Sequence, residues 1–245
     1  MADVIGQALC LVGVGFWEPS ADASVGPGAA LLGARARGRA SLLTLMFAEV
    51  VEKAARSARF SLSEVATIYG SAFGEMERLI QLLEGLGAPK SEVSPLRFQT
   101  SVHNASAGQL SIANHNPRFS TSLAAGRETV AMGFVEAAAW MACYDAELLL
   151  VLGDEGSPPR VHSGPSSPPL AAAFAFSPAR SAPPEALRFT VERSPRAAMG
   201  LSEHRPLDAN PCEPLRDLVG WLGRAPRDAF SLNEAGPTEY CLVPQ

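Results

Sequence analysis

Hydrophobic positions recur at helical spacing from Ser41 to Ala58, where Leu42, Leu45, Met46, Val50 and Ala54 predict an amphipathic helix. Ser41 stands where a cap would accept a backbone N–H, and Glu49 and Lys53 form an i,i+4 pair. A second such helix is predicted from Glu75 to Gly87, ended by Gly87 and Pro89. Ala105 to Ala113 predicts a short helix with small residues on its packed face, and Pro214 to Leu222 another. From Ser122 to Tyr144 the pattern changes: Ala124, Ala131, Phe134, Val135, Ala138, Trp140 and Met141 put apolar groups all around the circumference. A helix with no polar face is expected to be covered on every side.

Strands fall between these helices. Ala8 to Gly15 reads as a first strand, Glu64 to Tyr69 as a second, and Leu148 to Leu152 as a buried third closed by Gly153-Asp-Glu-Gly156. Ser91 to Leu96 reads as loop and Arg97 to Val102 as extended chain. Ala171 to Phe176 and Leu187 to Glu192 are β-like, with short strands at Phe230 to Asn233 and Tyr240 to Val243. The alternation predicts an α/β fold with a mixed, largely parallel sheet, helices on both faces, a buried central helix and a β-containing C-terminal tail. Its expected organisation is an α/β core over 1–156, an exposed Pro/Ser/Gly loop over 157–169, and a tail over 170–245 packed on the same core as a single domain.

Composition narrows the function classes. Of 245 residues 47% are hydrophobic but only 7% aromatic, with alanine and leucine supplying much of the apolar count. This predicts tight helix packing rather than an aromatic-rich core. A formal charge of −5 argues against a nucleic-acid partner, and Arg35, Arg37 and Arg39 read as a solvated cluster. Cys10, Cys143, Cys212 and Cys241 are scattered, without C-x-x-C or metal-ligand spacing, as in a reduced cytoplasmic protein. No basic region precedes the apolar start, so a secretory signal is not expected. Glu136, Asp145 and Glu147 interrupt the most apolar stretch, so no membrane span is expected either.

Motifs for common chemistry are missing. Gly13-Val-Gly15 lacks the third glycine of a dinucleotide fingerprint and reads as a glycine-rich turn. There is no G-x-S-x-G, Walker or H-E-x-x-H string. His162 and His204 fall in polar loop and turn sequence, and no metal or cofactor site is expected. Two stretches stand out: Phe98-Gln-Thr-Ser-Val-His-Asn-Ala-Ser-Ala-Gly108 and Phe119-Ser-Thr-Ser-Leu-Ala-Ala-Gly126. On local grounds the first is a strand end with a polar turn. The second is a helix cap, in which Ser120, Thr121 and Ser122 satisfy free N–H groups.

The order of these pieces resembles the short β-ketoacyl synthase-like N-terminal family of the thiolase-like superfamily, related to chain-length factors of aryl-polyene and polyketide clusters. The resemblance covers most of the chain. It rests on Ile68-Tyr-Gly-Ser-Ala-Phe-Gly-Glu75, Ser94-Pro95, Ser101-Val-His-Asn-Ala105 with Gly108, Ser120-Thr-Ser-Leu-Ala-Ala-Gly126 and Gly133-Phe-Val-Glu-Ala137. The family's active members carry Thr-Ala-Cys-Ser-Ser-Gly at a helix start. Thr121 and Gly126 match its ends, and the nucleophile position falls on Leu123. Leucine has no thiol for a helix N-terminus to activate. Ser122 is the weaker alternative, one residue off register and lacking a base. The resemblance places the catalytic histidines in a C-terminal half that this sequence does not contain, and His103 is not one of them.

What the resemblance implies is a non-catalytic subunit paired with an active β-ketoacyl synthase, meeting acyl carrier protein only indirectly. A heterodimer is favoured over a homodimer, through the region Arg97 to Asn104. Phe98, Ser101, His103, Asn104, Thr121 and Leu123 are the expected interface or vestigial-site residues. The alternatives are a stand-alone binder of acyl chains or carrier protein, and a cysteine-independent acyltransferase or decarboxylase. The all-apolar helix must be covered by the tail, Ala171 to Val243, or by another chain.

Overall fold

The computed structural model describes residues 2–20, 26–86, 94–156, 167–196, 210–233 and 236–245. Eight strands form one sheet: β1 (Asp3–Trp17), β2 (Ala66–Gly70), β3 (Ser120–Leu123), β4 (Leu148–Asp154), β5 (Leu170–Ser177), β6 (Leu187–Pro195), β7 (Phe230–Ser231) and β8 (Thr238–Pro244). Their spatial order is β3-β2-β4-β5-β1-β6-β8-β7. The helices are α1 (Ala34–Arg37), α2 (Leu42–Ala58), α3 (Met76–Leu86), α4 (Pro95–Gln99), α5 (Ala105–Ala113), α6 (Thr129–Tyr144) and α7 (Pro214–Leu222).

The sheet is mixed, as expected, but its parallel part is smaller than predicted. Only β3-β2 and β2-β4 pair parallel, while β5, β1, β6, β8 and β7 join antiparallel. A parallel pair needs a crossover connection, and among the described segments only α3–α5 and α6 bridge parallel strands. The tail strands β5, β6, β7 and β8 extend the same sheet.

Helices cover both faces. On one face α2 and α5 bury Met46, Phe47, Val50, Val51 and Leu110 against Tyr69, Val151, Ala171, Ala173 and Ala175. On the other, α6 and α7 lie over Ile68, Leu150, Leu152, Phe174, Phe176 and Phe189. Strand β5 shows how: every second residue facing α2 is alanine, while Phe174 and Phe176 point to α6. Tight packing therefore holds on the α2 face. An aromatic cluster of Phe134, Phe174, Phe176 and Phe189 fills the other, with ring centroids 5.1 to 6.2 Å apart.

Several expectations are corrected. Gly13-Val-Gly15 is no turn; it lies inside β1, under α2. A Cβ on Gly15 would sit 2.1 Å from the Val50 carbonyl oxygen, and one on Gly13 would sit 2.6 Å from that of Ala54. Residues 95–99 are helical rather than loop and extended chain, because Ser94 and Pro95 supply an N-cap position and a preset first turn. The apolar helix begins at Thr129, not Ser122. Residues 120–123 pair parallel with β2, and a 3-10 turn, Gly126–Glu128, separates them from α6. That helix is not covered all round either: Glu136, Ala139, Ala142, Cys143 and Tyr144 are exposed. The predicted end of α3 at Gly87 and Pro89, most of the 157–169 loop, and His162 and His204 lie outside the described residues.

Candidate functional site

In open α/β sheets, chemistry gathers at the carboxyl ends of parallel strands. Here those are the ends of β3, β2 and β4: Leu123, Gly70-Ser71 and Asp154. Strand β3 forms because Ser120, Thr121, Ser122 and Leu123 register with Thr67 to Gly70, and the Ser71 N–H donates to the Leu123 carbonyl at 3.2 Å. The chain then turns at Gly126, whose φ of 54° suits glycine. The Thr129 hydroxyl closes the turn, accepting from the Ala125 N–H at 3.1 Å and donating to the Gly126 carbonyl at 2.7 Å.

Leu123 therefore ends a strand instead of starting a helix. It is partly buried against the α6-side core. Gly70 gives the scale of the space around it: a Cβ there would lie 2.5 Å from Leu152 Cδ2, 3.3 Å from Thr129 Cγ2 and 3.4 Å from Leu123 Cδ1. The strand ends are filled by hydrocarbon. Strand alternation puts Ser122 on the opposite face from Leu123. No carboxylate or histidine side chain hydrogen-bonds Ser122 among the described residues.

Beside this apolar plug lies a buried polar joint. Asp154, with no exposed surface, accepts from the Ser71 hydroxyl at 2.5 Å and from the N–H groups of Ala72 and Phe73 at 2.9 and 3.0 Å. The Cys212 thiol donates to it at 3.2 Å. Asn210 ties the same strand end, donating to the Asp154 carbonyl at 3.1 Å and accepting from the Cys212 N–H at 2.9 Å. Burial pushes the Asp154 carboxyl up, against the pull of Ser71, Ala72, Phe73 and Cys212. Burial pushes the Cys212 thiol up, and the Asp154 charge adds to this. Held protonated, that thiol is no nucleophile.

The residues predicted as a site separate into three groups. His103 and Ser101 are structural: His103 Nε2 donates to the Ser71 carbonyl at 2.7 Å, and Ser101 donates to the Phe98 carbonyl at 2.9 Å. Thr121 and Leu123 belong to β3. Phe98 is 57% exposed, and Asn104, at the start of α5, is exposed as well.

Sequence reasoning missed Asp154, Glu155, Ser71, Glu75, Cys212 and Asn210. The available signal was Gly-Asp-Glu closing a wholly apolar strand, since a carboxylate there must be met by donors. Glu155 and Glu75 serve the start of α2. Glu155 accepts the Leu43 N–H at 2.7 Å. Glu75 accepts from the Ser106 and Ser41 hydroxyls at 2.6 and 3.0 Å, while Ser41 accepts the Thr44 N–H at 3.0 Å. This helix N-terminus is thus occupied by the chain's own carboxylates. Among the described residues, no group of three or more His, Cys, Asp or Glu could hold a metal. No described helix is long and apolar enough to cross a membrane.

Comparison with known proteins fits this picture. The profile described as "Beta-ketoacyl synthase, N-terminal domain" matches residues 17–214. No curated protein matches. Among solved structures, the fold is similar to a chain of the ketosynthase ApeO in complex with its chain length factor ApeC from Xenorhabdus doucetiae. The TM-score is 0.69 at 20% identity, covering 97% of this chain and 99% of that one. It is also similar to a chain of the ishigamide ketosynthase/chain length factor, with TM-score 0.58, 16% identity, and 77% and 68% of the two chains covered. A third is from the AntDE:AntF structure, a type II acyl-carrier protein in complex with its ketosynthase bound to the hexaketide, with TM-score 0.58, 15% identity, and 78% and 70% covered.

Proposed function

Because the chain belongs to the family of β-ketoacyl synthase N-terminal domains, we propose that it is a non-catalytic, chain-length-factor-like subunit that pairs with an active β-ketoacyl synthase in polyketide or aryl-polyene assembly. The observation that carries this reading is the apolar plug at Leu123. The position that matches the family's nucleophile holds a leucine, at a strand end and off the helix N-terminus, packed near Leu152 and Thr129. Cys212, the buried thiol beside it, is hydrogen-bonded to Asp154 and protonated.

Its surface supports a partnered life. Phe98, Val102 and Ile112 expose apolar side chains, and α6 leaves Ala139 and Ala142 uncovered. Such surface favours association. The expected interface includes the exposed Phe98 and Asn104 together with Thr121 of β3, with acyl carrier protein contacting the pair and not this chain alone. We assign the complex to the cytoplasm, in keeping with the four scattered cysteines.

Co-expression with the ketosynthase encoded in the same gene neighbourhood tests this. The two chains co-purify, and the isolated chain forms no acyl adduct with acyl or malonyl carrier protein by intact mass. An adduct or turnover by the isolated chain would favour a cysteine-independent acyltransferase or decarboxylase instead.

A further inference from the structure

At the end of the sheet opposite the plug, where β2, β3 and β4 begin, lies an open cleft of about 500 Å³. Three aromatic side chains form one wall. Trp140 stacks on Phe119 with centroids 5.9 Å apart and on Tyr144 at 5.0 Å, the three planes staying within about 30° of one another in sequence. Trp140 and Tyr144 align because they are four residues apart on α6. Phe119 is 44% exposed and Tyr144 65% exposed. The other wall carries Glu64 and Glu147.

Neither carboxylate forms an ion pair or a side-chain hydrogen bond among the described residues. Arg118 also lines the cleft and forms no ion pair with them. Burial, and then the charge of Glu64, raise the Glu147 carboxyl above its ordinary range. The Trp140 side chain is 8% exposed, and its indole N–H is buried without an acceptor.

Ring faces and carboxylates both attract cations. A planar guanidinium meets both walls at once, stacking on rings while its fork of N–H groups reaches two acids. Phe119 leads directly into β3, whose outer edge is unpaired among the described residues. We propose that this cleft receives an arginine side chain from the partner subunit that docks beside β3. This rests on the reading of the chain as a ketosynthase partner.

Two measurements test it and separate the two readings. The first compares ketosynthase binding by the wild-type chain and by the Glu64→Gln/Glu147→Gln variant, with thermal melts to show that both fold. The second follows the indole resonances of the three tryptophans in the isolated chain during titration with N-acetyl-arginine amide, and with its neutral citrulline counterpart. Affinity for the ketosynthase is expected to fall about tenfold in the variant. The Trp140 indole is expected to shift saturably with the arginine compound only, and not in the variant. Wild type and variant binding the ketosynthase within about twofold would overturn the cleft proposal and leave the pairing intact. If the wild-type chain does not bind the ketosynthase, the pairing falls and the titration decides the cleft: an arginine-specific shift upholds cation recognition, and none overturns it.

Discussion

Leu123 is partly buried against hydrocarbon and lies six residues before the first residue of α6. A thiol placed there has no helix N-terminus to stabilise its anion. Leu123→Cys is therefore expected to gain no condensing activity. Its alkylation by iodoacetamide, followed by peptide mass spectrometry across pH, is expected to show an unactivated thiol; a thiolate already formed at neutral pH would contradict the assigned geometry. Asp154 makes the complementary case. All its polar contacts are donors, so Asp154→Asn turns one acceptor into a donor facing donors. The expected loss is about 2–4 kcal/mol by urea melts. Leu123 was legible as a candidate position because Thr121 and Gly126 match the ends of the motif that the chain resembles. The Asp154 joint was not, since Ser71, Cys212 and Asn210 lie up to 83 residues away in sequence and meet only in the fold.

At the scale of elements, periodicity located the helices well where one face is buried. Ala105–Ala113 and Pro214–Leu222 match their predicted bounds, and Ser41 caps α2 as expected. It failed at the start of α6. Residues 120–128 read locally as a helix cap, but pairing with β2 and the left-handed Gly126 divide strand from helix. Helix α2 offers a pH test. Burial raises the Glu155 carboxyl to about 7 from an ordinary 4.5, countered by the Leu43 N–H. A raised folded-state value means that its favourable contribution is full below about 4.5 and is lost as pH rises through about 7. Glu155→Gln keeps the acceptor without the charge. Melts of the variant are expected to lose up to roughly 3 kcal/mol of the decline in stability between those pH values; an unchanged pH profile would contradict the burial of this carboxyl. Phe134→Ala, within the aromatic cluster on α6, is expected to cost about 3–5 kcal/mol in the same assay.

The whole molecule is three layers, with α2 and α5 on one face of the sheet and α6 and α7 on the other. The sequence suggested helices on both faces, but the antiparallel majority came from strands whose partners no local pattern names. The apolar circumference of α6 was read as full cover. Part of it lies on the sheet, while Ala139, Ala142 and Cys143 stay open beside Glu136. In the proposed pairing, that strip and the edge of β3 are the surfaces offered to the second chain. The most direct test is light scattering on a gel-filtered mixture of this chain with the neighbouring ketosynthase. A single species with the mass of an assembly containing both chains in equal number is the expected result. Elution of this chain alone, at its own mass of 25.7 kDa, with the ketosynthase separate, would contradict the account.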